Sequence, residues 1–471
     1  MGSISDYVGK LREIVGDEGI LHDSDVIYDY LRDESAPAVL PKPANNVIVV
    51  KPKNVNEVSM ILKFANEKRI PVFPRGGGTG LVGGAIPTID GIVLSLERMN
   101  KVIEVDRENM MIIVEAGVTL ANLIKTAEDA GLFFPPHPGD ESATVGGLIA
   151  CNAGGARAVK YGVMRSYVLG LEAVLPTGDI ITLGGKIIKN VAGYDLMHLF
   201  IGSEGTLGII TKAVLKLNPK PGAMASLVIA FNNPYNAIGT VPKILQAGIK
   251  PLAMEYIERD VAENSAKLQG LTWRIRSGRC FLYIILENES IKKLLPIMDR
   301  IDEIAKSNGS VETFVALSRR DQEELLAIRS KMYLTLKRHT LDILDVAVPP
   351  AYMAKLIEDV LNLAKDYGVE YIPIYGHAGD GNLHIHILNK ESGGIELEKL
   401  DKFRDEIYRL VINLGGTITA EHGVGIARLD SFIKYTDNKV IQIMASIKKI
   451  LDPNNILNPG KVIPINYLTS W

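Results

Sequence analysis

Pro74-Arg75-Gly76-Gly77-Gly78-Thr79-Gly80-Leu81-Val82-Gly83-Gly84-Ala85-Ile86-Pro87 is the stretch on which the reading of this fold turns. Within it, Gly78–Gly83 spells G-x-G-x-x-G behind a strand expected at Pro71–Phe73. A Rossmann fingerprint must open a helix whose N-terminus receives a pyrophosphate. Gly83, Gly84 and Pro87 break any helix here, and the next strand is expected at Ile92–Leu96. The Rossmann reading is rejected. Pro74–Gly80 suits another anion cradle, in which consecutive glycines turn several backbone N–H groups toward one phosphate pair. Thr144-Val145-Gly146-Gly147, Asn152-Ala153-Gly154-Gly155 and Gly202-Ser203-Glu204-Gly205-Thr206-Leu207-Gly208 have the same character. Together they exceed what tight turns alone require.

Outward from these loops, strands alternate with helices. Val47–Val50, Met110–Val114, Gly170–Leu175 and Ile180–Leu183 read as strands. Val55–Asn66 reads as a helix on the apolar positions Val58, Ile61, Leu62 and Ala65. Leu120–Ala130 reads as another, closed by Gly131. Asn218-Pro219-Lys220-Pro221-Gly222 is a breaker-rich boundary. Beyond it come strands Leu227–Phe231 and Phe281–Leu286 and helices over 235–247, 291–306 and 350–367. Leu400–Leu414 is an amphipathic helix ended by Gly415 and Gly416. The expected division is a helical lead-in over 1–41, a first domain over 42–221, a second over 222–420 and a C-terminal segment over 421–471.

Bulk properties exclude several classes. With 471 residues, 47% of them apolar, the chain can bury more than one core. Basic and acidic residues nearly balance, 52 against 55, which gives no electrostatic reason to expect nucleic acid. No run reaches the length of a membrane span, and Met1–Gly16 carries charge throughout, unlike a signal peptide. Cys151 and Cys280 cannot by themselves hold an iron–sulfur cluster. A cytoplasmic protein is expected, with peripheral attachment to a membrane left open.

Four of the eight histidines lie between residues 377 and 422. Gly376-His377-Ala378-Gly379-Asp380-Gly381-Asn382-Leu383-His384 reads as a hairpin of strands Tyr371–Ala378 and Leu383–Leu388 around the turn Gly379–Asn382. That register sets His377 opposite His384, with Cβ atoms roughly 4.5–5.5 Å apart, a spacing from which two imidazoles can chelate one ion. Period-2 alternation puts His386 on the same face and Ile385 and Ile387 on the other. For His386 a satisfied buried histidine is the plainer reading. Glu421 would complete a two-histidine, one-carboxylate set with open positions, if its glycine-flanked loop aims both it and His422 inward.

Pro74–Gly80, Thr144–Gly155, Gly193-Tyr194-Asp195-Leu196 with Gly202–Gly208, Gly376–His384, Glu421-His422-Gly423 and Asp452–Lys461 occur in this order. Together they resemble the FAD-linked D-2-hydroxy-acid dehydrogenases of the vanillyl-alcohol-oxidase type. The D-lactate dehydrogenases and the flavin subunits of glycolate oxidases are the nearest subset. The resemblance implies an α+β protein: a two-subdomain FAD-binding domain, an α+β cap carrying the substrate and metal sites, and a C-terminal segment returning to the flavin. By that likeness Pro74, Arg75, Gly76, Gly77, Gly78, Thr79, Gly80 and Leu81 wrap the pyrophosphate. Pro138, Gly139, Ser142, Thr144, Gly147, Asn152, Gly154, Gly155, Glu204, Gly208 and Ile210 line the rest of the groove, and Asn458 approaches from the C-terminus. Thr79 stands where members that bind FAD covalently often carry histidine, so the implied FAD is non-covalent.

The likeness also implies a divalent metal (zinc, manganese or iron) on His377, His384 and Glu421, with His422 as base and Arg329 clamping the substrate carboxylate. Histidine ordinarily titrates near neutrality, which suits the abstraction of a hydroxyl proton. Ile343 stands where the 2-hydroxyglutarate-specific members carry lysine, which favours a small monocarboxylate, D-lactate or glycolate. Electrons would leave to an external acceptor: a quinone, an electron-transfer flavoprotein or an iron–sulfur partner. The resemblance further implies a homodimer. Two rival readings are a non-haem iron oxygenase, which leaves the glycine loops unexplained, and a non-catalytic flavin subunit, which leaves the metal set and His422 unexplained.

Overall fold

The computed structural model of the chain describes residues 4–22 and 24–469. Strands Val47–Val50, Gly91–Ser95 and Val72–Arg75 lie side by side in that order, all parallel. Val47–Val50 and Gly91–Ser95 are buried at every position, as strands covered on both faces must be. Helix Val55–Lys68 makes the crossover from Val47–Val50 to Val72–Arg75, with Val58, Ile61, Leu62 and Ala65 fully buried. Asn54 caps it by accepting the N–H of Glu57 at 3.0 Å. After Val72–Arg75 the chain passes through the glycine loop to Gly91 with no helix, as the rejection of a Rossmann turn requires.

The first residues are not only a helical lead-in. Val8–Val15 is helical, but Ile20–Leu21 then adds an antiparallel edge strand beside Val49–Val50. Two strand residues leave no alternation to read in a sequence.

A second sheet is antiparallel, in the order Val102–Asp106, Met111–Glu115, Ile209–Lys216, Val168–Val174, Ile180–Gly184. Its centre, Ile209–Lys216, follows directly on the Gly202–Gly208 loop. Through the predicted boundary, Asn218–Pro219 pairs with Leu132–Phe133, and the chain enters a seven-stranded antiparallel sheet. Its order is Ser310–Ala316, Ala223–Phe231, Cys280–Asn288, Ala253–Glu258, Ile374–His377, Asn382–Leu388, Thr340–Ala347. Alternate residues separate its two faces. Leu227, Ile229, Leu282, Ile284, Leu344, Leu383 and Ile385 pack under helices Pro234–Gln246, Ile291–Ser307, Met353–Asp366 and Leu400–Asn413. Val228, Ala230, Phe281 and Tyr283 face helices Arg259–Leu268, Arg319–Ser330 and Met332–Lys337. The histidines of Asn382–Leu388 point to this second side.

From the cap the chain returns to the first sheet. Val72 N donates to Ile456 O at 2.7 Å, and Asn458 N donates to Val72 O at 2.8 Å. The Lys448 ammonium, on helix Asn438–Leu451, donates to the carbonyls of Thr206 and Leu457 at 2.8 and 2.7 Å. No helix of the described residues is long and apolar enough to cross a membrane.

Candidate active site

The hairpin pairs two residues out of the expected register. Its strands are Ile374–His377 and Asn382–Leu388, and the pairs are Tyr375 with His384 and His377 with Asn382. The turn is therefore Ala378–Gly381, closed by Gly381 N donating to His377 O at 3.1 Å, with Gly381 at φ 91°. His377 and His384 are diagonal neighbours instead of directly opposed. A shift by two residues preserves the face, so their rings still meet edge to face with centroids 5.3 Å apart. His386 is satisfied: its ring nitrogens lie 3.0 Å from Thr340 Oγ1 and 3.1 Å from Tyr375 Oη. Burial pushes its pKa down to about 3, so it is a neutral core histidine.

Three imidazole nitrogens converge on one oxygen. Glu421 Oε1 lies 3.4 Å from His377 Nε2, 3.4 Å from His384 Nε2 and 3.8 Å from His422 Nε2. Ligands held about 2.1 Å from a tetrahedral ion stand about 3.4 Å apart, so the donor set fits a divalent metal. His384 Nδ1, the ring nitrogen away from Glu421, is buried without a hydrogen-bond partner and lies 3.7 Å from Asp345 Oδ1. Asp345, His384, Glu421 and His422 also bring ligand atoms within 4.8 Å of one another. Asp345 is committed elsewhere, however: its Oδ2 accepts the backbone N–H groups of Ala420, Glu421 and His422 at 2.9, 2.8 and 2.8 Å. His377 is not in that group; its place beside the cluster rests on its Nε2 lying 3.4 Å from Glu421 Oε1.

Behind His377 stands a carboxylate that sequence reasoning missed. Glu255, fully buried on strand Ala253–Glu258, accepts from His377 Nδ1 at 2.7 Å and so turns Nε2 inward. Its other oxygen binds Arg329 Nε at 2.6 Å and Nη2 at 2.5 Å. Arg329 is thus an enclosed residue of helix Arg319–Ser330, not a solvated one, and its guanidinium lies 5.1 Å over the ring of Tyr375. Burial alone would raise the Glu255 pKa, but Arg329 and then His377 hold it at about 2. Burial opposes a charge on His377, yet Glu255 and Glu421 outweigh it and lift His377 well above the ordinary histidine value. For His384 burial wins, and its pKa falls to about 3. Glu421 is held well below the carboxylate range: burial acts against this, and His377, His384 and His422 prevail.

The glycine loops converge beside this cluster. A cavity of about 640 Å³ is lined by Arg75, Gly76, Gly77, Ser142 and Thr144 of the expected set. The sequence did not point to its other walls, which include Asp29 and Tyr30 of the lead-in and Asn100, Thr119 and Asn122. Arg75 is fixed there by donating to the carbonyls of Arg32 and Asp29 at 2.7 and 2.8 Å. Thr144 Oγ1, in the wall, is buried without a partner. That orphan and the backbone N–H groups of the loop suit a phosphate-bearing ligand, so the residues fit FAD. Packing is backbone-close: a Cβ on Gly76 would sit 2.3 Å from Thr144 Oγ1 and 3.7 Å from Gly147 Cα, and one on Gly77 2.7 Å from Ser142 O.

The remaining expected groove residues lie outside the walls of this cavity. Gly205 lies against Pro74, and Gly155, at φ 110°, against Pro138. Around Gly139 there is open space, while Gly78, at φ 70°, sits under the Arg75 guanidinium. Asn152 ends helix Val145–Cys151 in the left-handed region. Gly154 reaches the histidine–Glu421 cluster, since a Cβ there would be 2.9 Å from Glu421 Oε2. Two expectations sit deeper than the groove. Ile210 is a core residue of the second sheet, and Gly208 packs on Phe200. Glu204 points to the 424–425 backbone, accepting from Val424 N at 2.7 Å and Gly425 N at 2.8 Å. Asn458 Nδ2 ties the loops together by donating to the carbonyls of Gly84 and Glu204 at 3.0 and 2.8 Å.

Comparison with known proteins agrees with this geometry. Residues 47–184 match an FAD binding domain, and residues 220–462 match the C-terminal domain of FAD linked oxidases. A D-lactate dehydrogenase of Archaeoglobus fulgidus is 47% identical over 92% of this chain and 95% of its own. One from Anaerostipes hadrus is 36% identical over 97% and 95%. Glycolate oxidase subunit GlcD of Bacillus subtilis is 39% identical over 88% of each chain. Among solved structures, p-cresol methylhydroxylase superposes with TM-score 0.78 over 98% of this chain and 97% of that one, at 20% identity. For 4-ethylphenol oxidase from Gulosibacter chungangensis the TM-score is 0.76, at 20% identity over 98% and 97%. The fold is therefore of the vanillyl-alcohol-oxidase type, α+β with an FAD-binding domain and a C-terminal domain.

Proposed function

Since the chain belongs to the FAD-linked oxidases, as an oxidoreductase of the D-lactate dehydrogenase and glycolate oxidase type, we propose that it oxidises a small D-2-hydroxy acid, D-lactate first, to the 2-oxo acid. The observation that carries this reading is the convergence of His377, His384 and His422 on Glu421 Oε1, beside Gly154 of the glycine loops. His377, His384 and Glu421 would hold a divalent ion, and the loops around Gly76, Gly77 and Thr144 would hold FAD. When bound, the ion supplies Lewis acidity toward the substrate's hydroxyl and carboxylate, and the flavin supplies the hydride acceptor.

The chain's own groups do the rest. His422 Nε2 takes the hydroxyl proton. Its ring stacks on His384 at 5.3 Å and 7°, which fixes its plane. Arg329, with Nε and Nη2 on Glu255, offers its remaining N–H groups to the substrate carboxylate. Ile343, buried across the strand pair from His386, gives a second carboxylate no cation, which supports a monocarboxylate. Cys151 and Cys280 are both free thiols, so the electrons pass to an external acceptor.

Anaerobic D-lactate should bleach the flavin band of the purified protein near 450 nm, roughly where this cofactor absorbs. His422→Ala should keep the flavin and its colour and lose at least about 100-fold in kcat, the lower range for removing a general base. A D-2-hydroxyglutarate kcat/KM above those of D-lactate and glycolate would sink the monocarboxylate assignment.

A further inference from the structure

Glu421 and His422, on which the proposed reaction depends, lie in a loop that no helix or strand contains. Two buried carboxylates from different parts of the chain hold its backbone. Asp345, buried on strand Thr340–Ala347 of the seven-stranded sheet, gathers the N–H groups of Glu421 and His422 on Oδ2, together with that of Ala420, which also donates to the Asp345 backbone carbonyl at 3.0 Å. Its Oδ1 accepts from Asn382 Nδ2 at 2.8 Å. Glu204, within the glycine-rich loop Gly202–Gly208, takes Val424 N on Oε1 and Gly425 N on Oε2. Gly423 sits between the two sets at φ 88°, where a Cβ would stand 2.9 Å from Glu204 Oε1.

We propose that Asp345 and Glu204 are positioning residues that clamp the 420–425 loop from its two sides, one rooted in the cap sheet and the other in the cofactor domain. Successive backbone N–H groups aimed at one oxygen form an anion nest, here filled by the protein's own carboxylate. Bonds to an ionised acceptor are roughly twice as strong as neutral ones, and without them several N–H groups would be buried unpaired. Asp345 sets the direction of Glu421 toward His377 and His384. Glu204 sets where the same loop stands relative to the glycine loops. The metal ligand and the base are therefore registered to both domains at once, through a loop with no ladder of its own. This assignment builds on the proposed roles of Glu421 and His422, but the bonds it invokes do not.

The test is hydrogen exchange resolved to single amides on the FAD-loaded full chain, compared with Asp345→Asn and Glu204→Gln. In the unmutated protein the amides of 420, 421, 422, 424 and 425 should exchange slowly and that of Gly423 fast. Asp345→Asn should speed 421 and 422 at least tenfold while 420, held also by the Asp345 backbone carbonyl, and 424–425 stay protected; Glu204→Gln should speed 424–425 and leave 420–422 protected. Zinc affinity, read by chelator competition, should fall about 10–100-fold in Asp345→Asn with flavin absorbance per chain unchanged. Glu204→Gln should lower kcat about tenfold with KM within about twofold, the signature of a misplaced base. Uniform acceleration across the chain in both variants would overturn the proposal. So would fast exchange throughout 420–425 in the unmutated protein, which decides the matter even if a variant fails to fold. Protected amides in a protein inert toward every 2-hydroxy acid would leave the clamp standing and refute the functional reading instead.

Discussion

Glu255 shows how far a single side chain behind the cluster reaches. It receives His377 on one oxygen and Arg329 on the other, so it fixes an imidazole tautomer and neutralises a buried guanidinium at once. Glu255→Ala should weaken metal binding about 10–100-fold, measured by competition with a chromogenic chelator. It should also cost about 3–5 kcal/mol, because one half of a buried ion pair is left without its partner. A variant that binds metal as tightly as the original would show that the tautomer is set elsewhere. Nothing in the local sequence Ala253–Glu258 marks this residue, whereas His377 and His384 stand out by spacing. The carboxylate and its imidazole are 122 positions apart, and only the pairing of Ala253–Glu258 with Ile374–His377 brings them together. Asp345 was hidden for the same reason, lying 76 positions from Glu421.

Elements with strong periodicity were legible. Helix Val55–Lys68 and strand Val47–Val50 lie where their apolar patterns put them, and so do the two faces of Asn382–Leu388. What could not be read was which four residues make the hairpin turn. Ala378–Gly381 and Gly379–Asn382 place the same histidines on the same face, and alternation alone cannot choose between them. The choice is made by Gly381, whose φ of 91° suits only glycine there. A Cβ at this position would lie 2.0 Å from Val348 O. Gly381→Ala should therefore destabilise the cap by more than the ~1–2 kcal/mol of left-handed strain alone, seen as a lowered thermal midpoint. A change within about 0.5 kcal/mol would mean that the turn relaxes freely.

Across the whole molecule, pH dependence follows from opposed sets of buried acids. Glu255 is held at about 2, so its contribution is present above the ordinary carboxylate range and is lost as pH falls toward 2. Glu258 runs the other way. Burial lifts its pKa to about 8, against the opposing bond from Ile374 N at 3.1 Å. Its folded form keeps a proton that the unfolded chain releases near 4.3, so stability declines from about pH 4 to pH 8 and is flat above. Glu258→Gln retains an oxygen for Ile374 N and cannot ionise. Its stability, followed by the thermal midpoint, should match the original near pH 4 and exceed it at pH 8 by an amount on the order of 2–4 kcal/mol. Equal midpoints at both pH values would show that Glu258 ionises freely in the folded chain.

The two-residue difference between the expected and observed hairpin bears on how this region can change in length. Along Asn382–Leu388, His384 and His386 share one side while Leu383, Ile385 and Ile387 share the other. One inserted or deleted residue ahead of His384 would carry both imidazoles into the apolar layer under helices Met353–Asp366 and Leu400–Asn413, and expose isoleucines in their place. Two would restore the sides and move His384 only along the strand. Homologous hairpins that keep this cluster should therefore differ in length by even numbers of residues, or carry a compensating bulge.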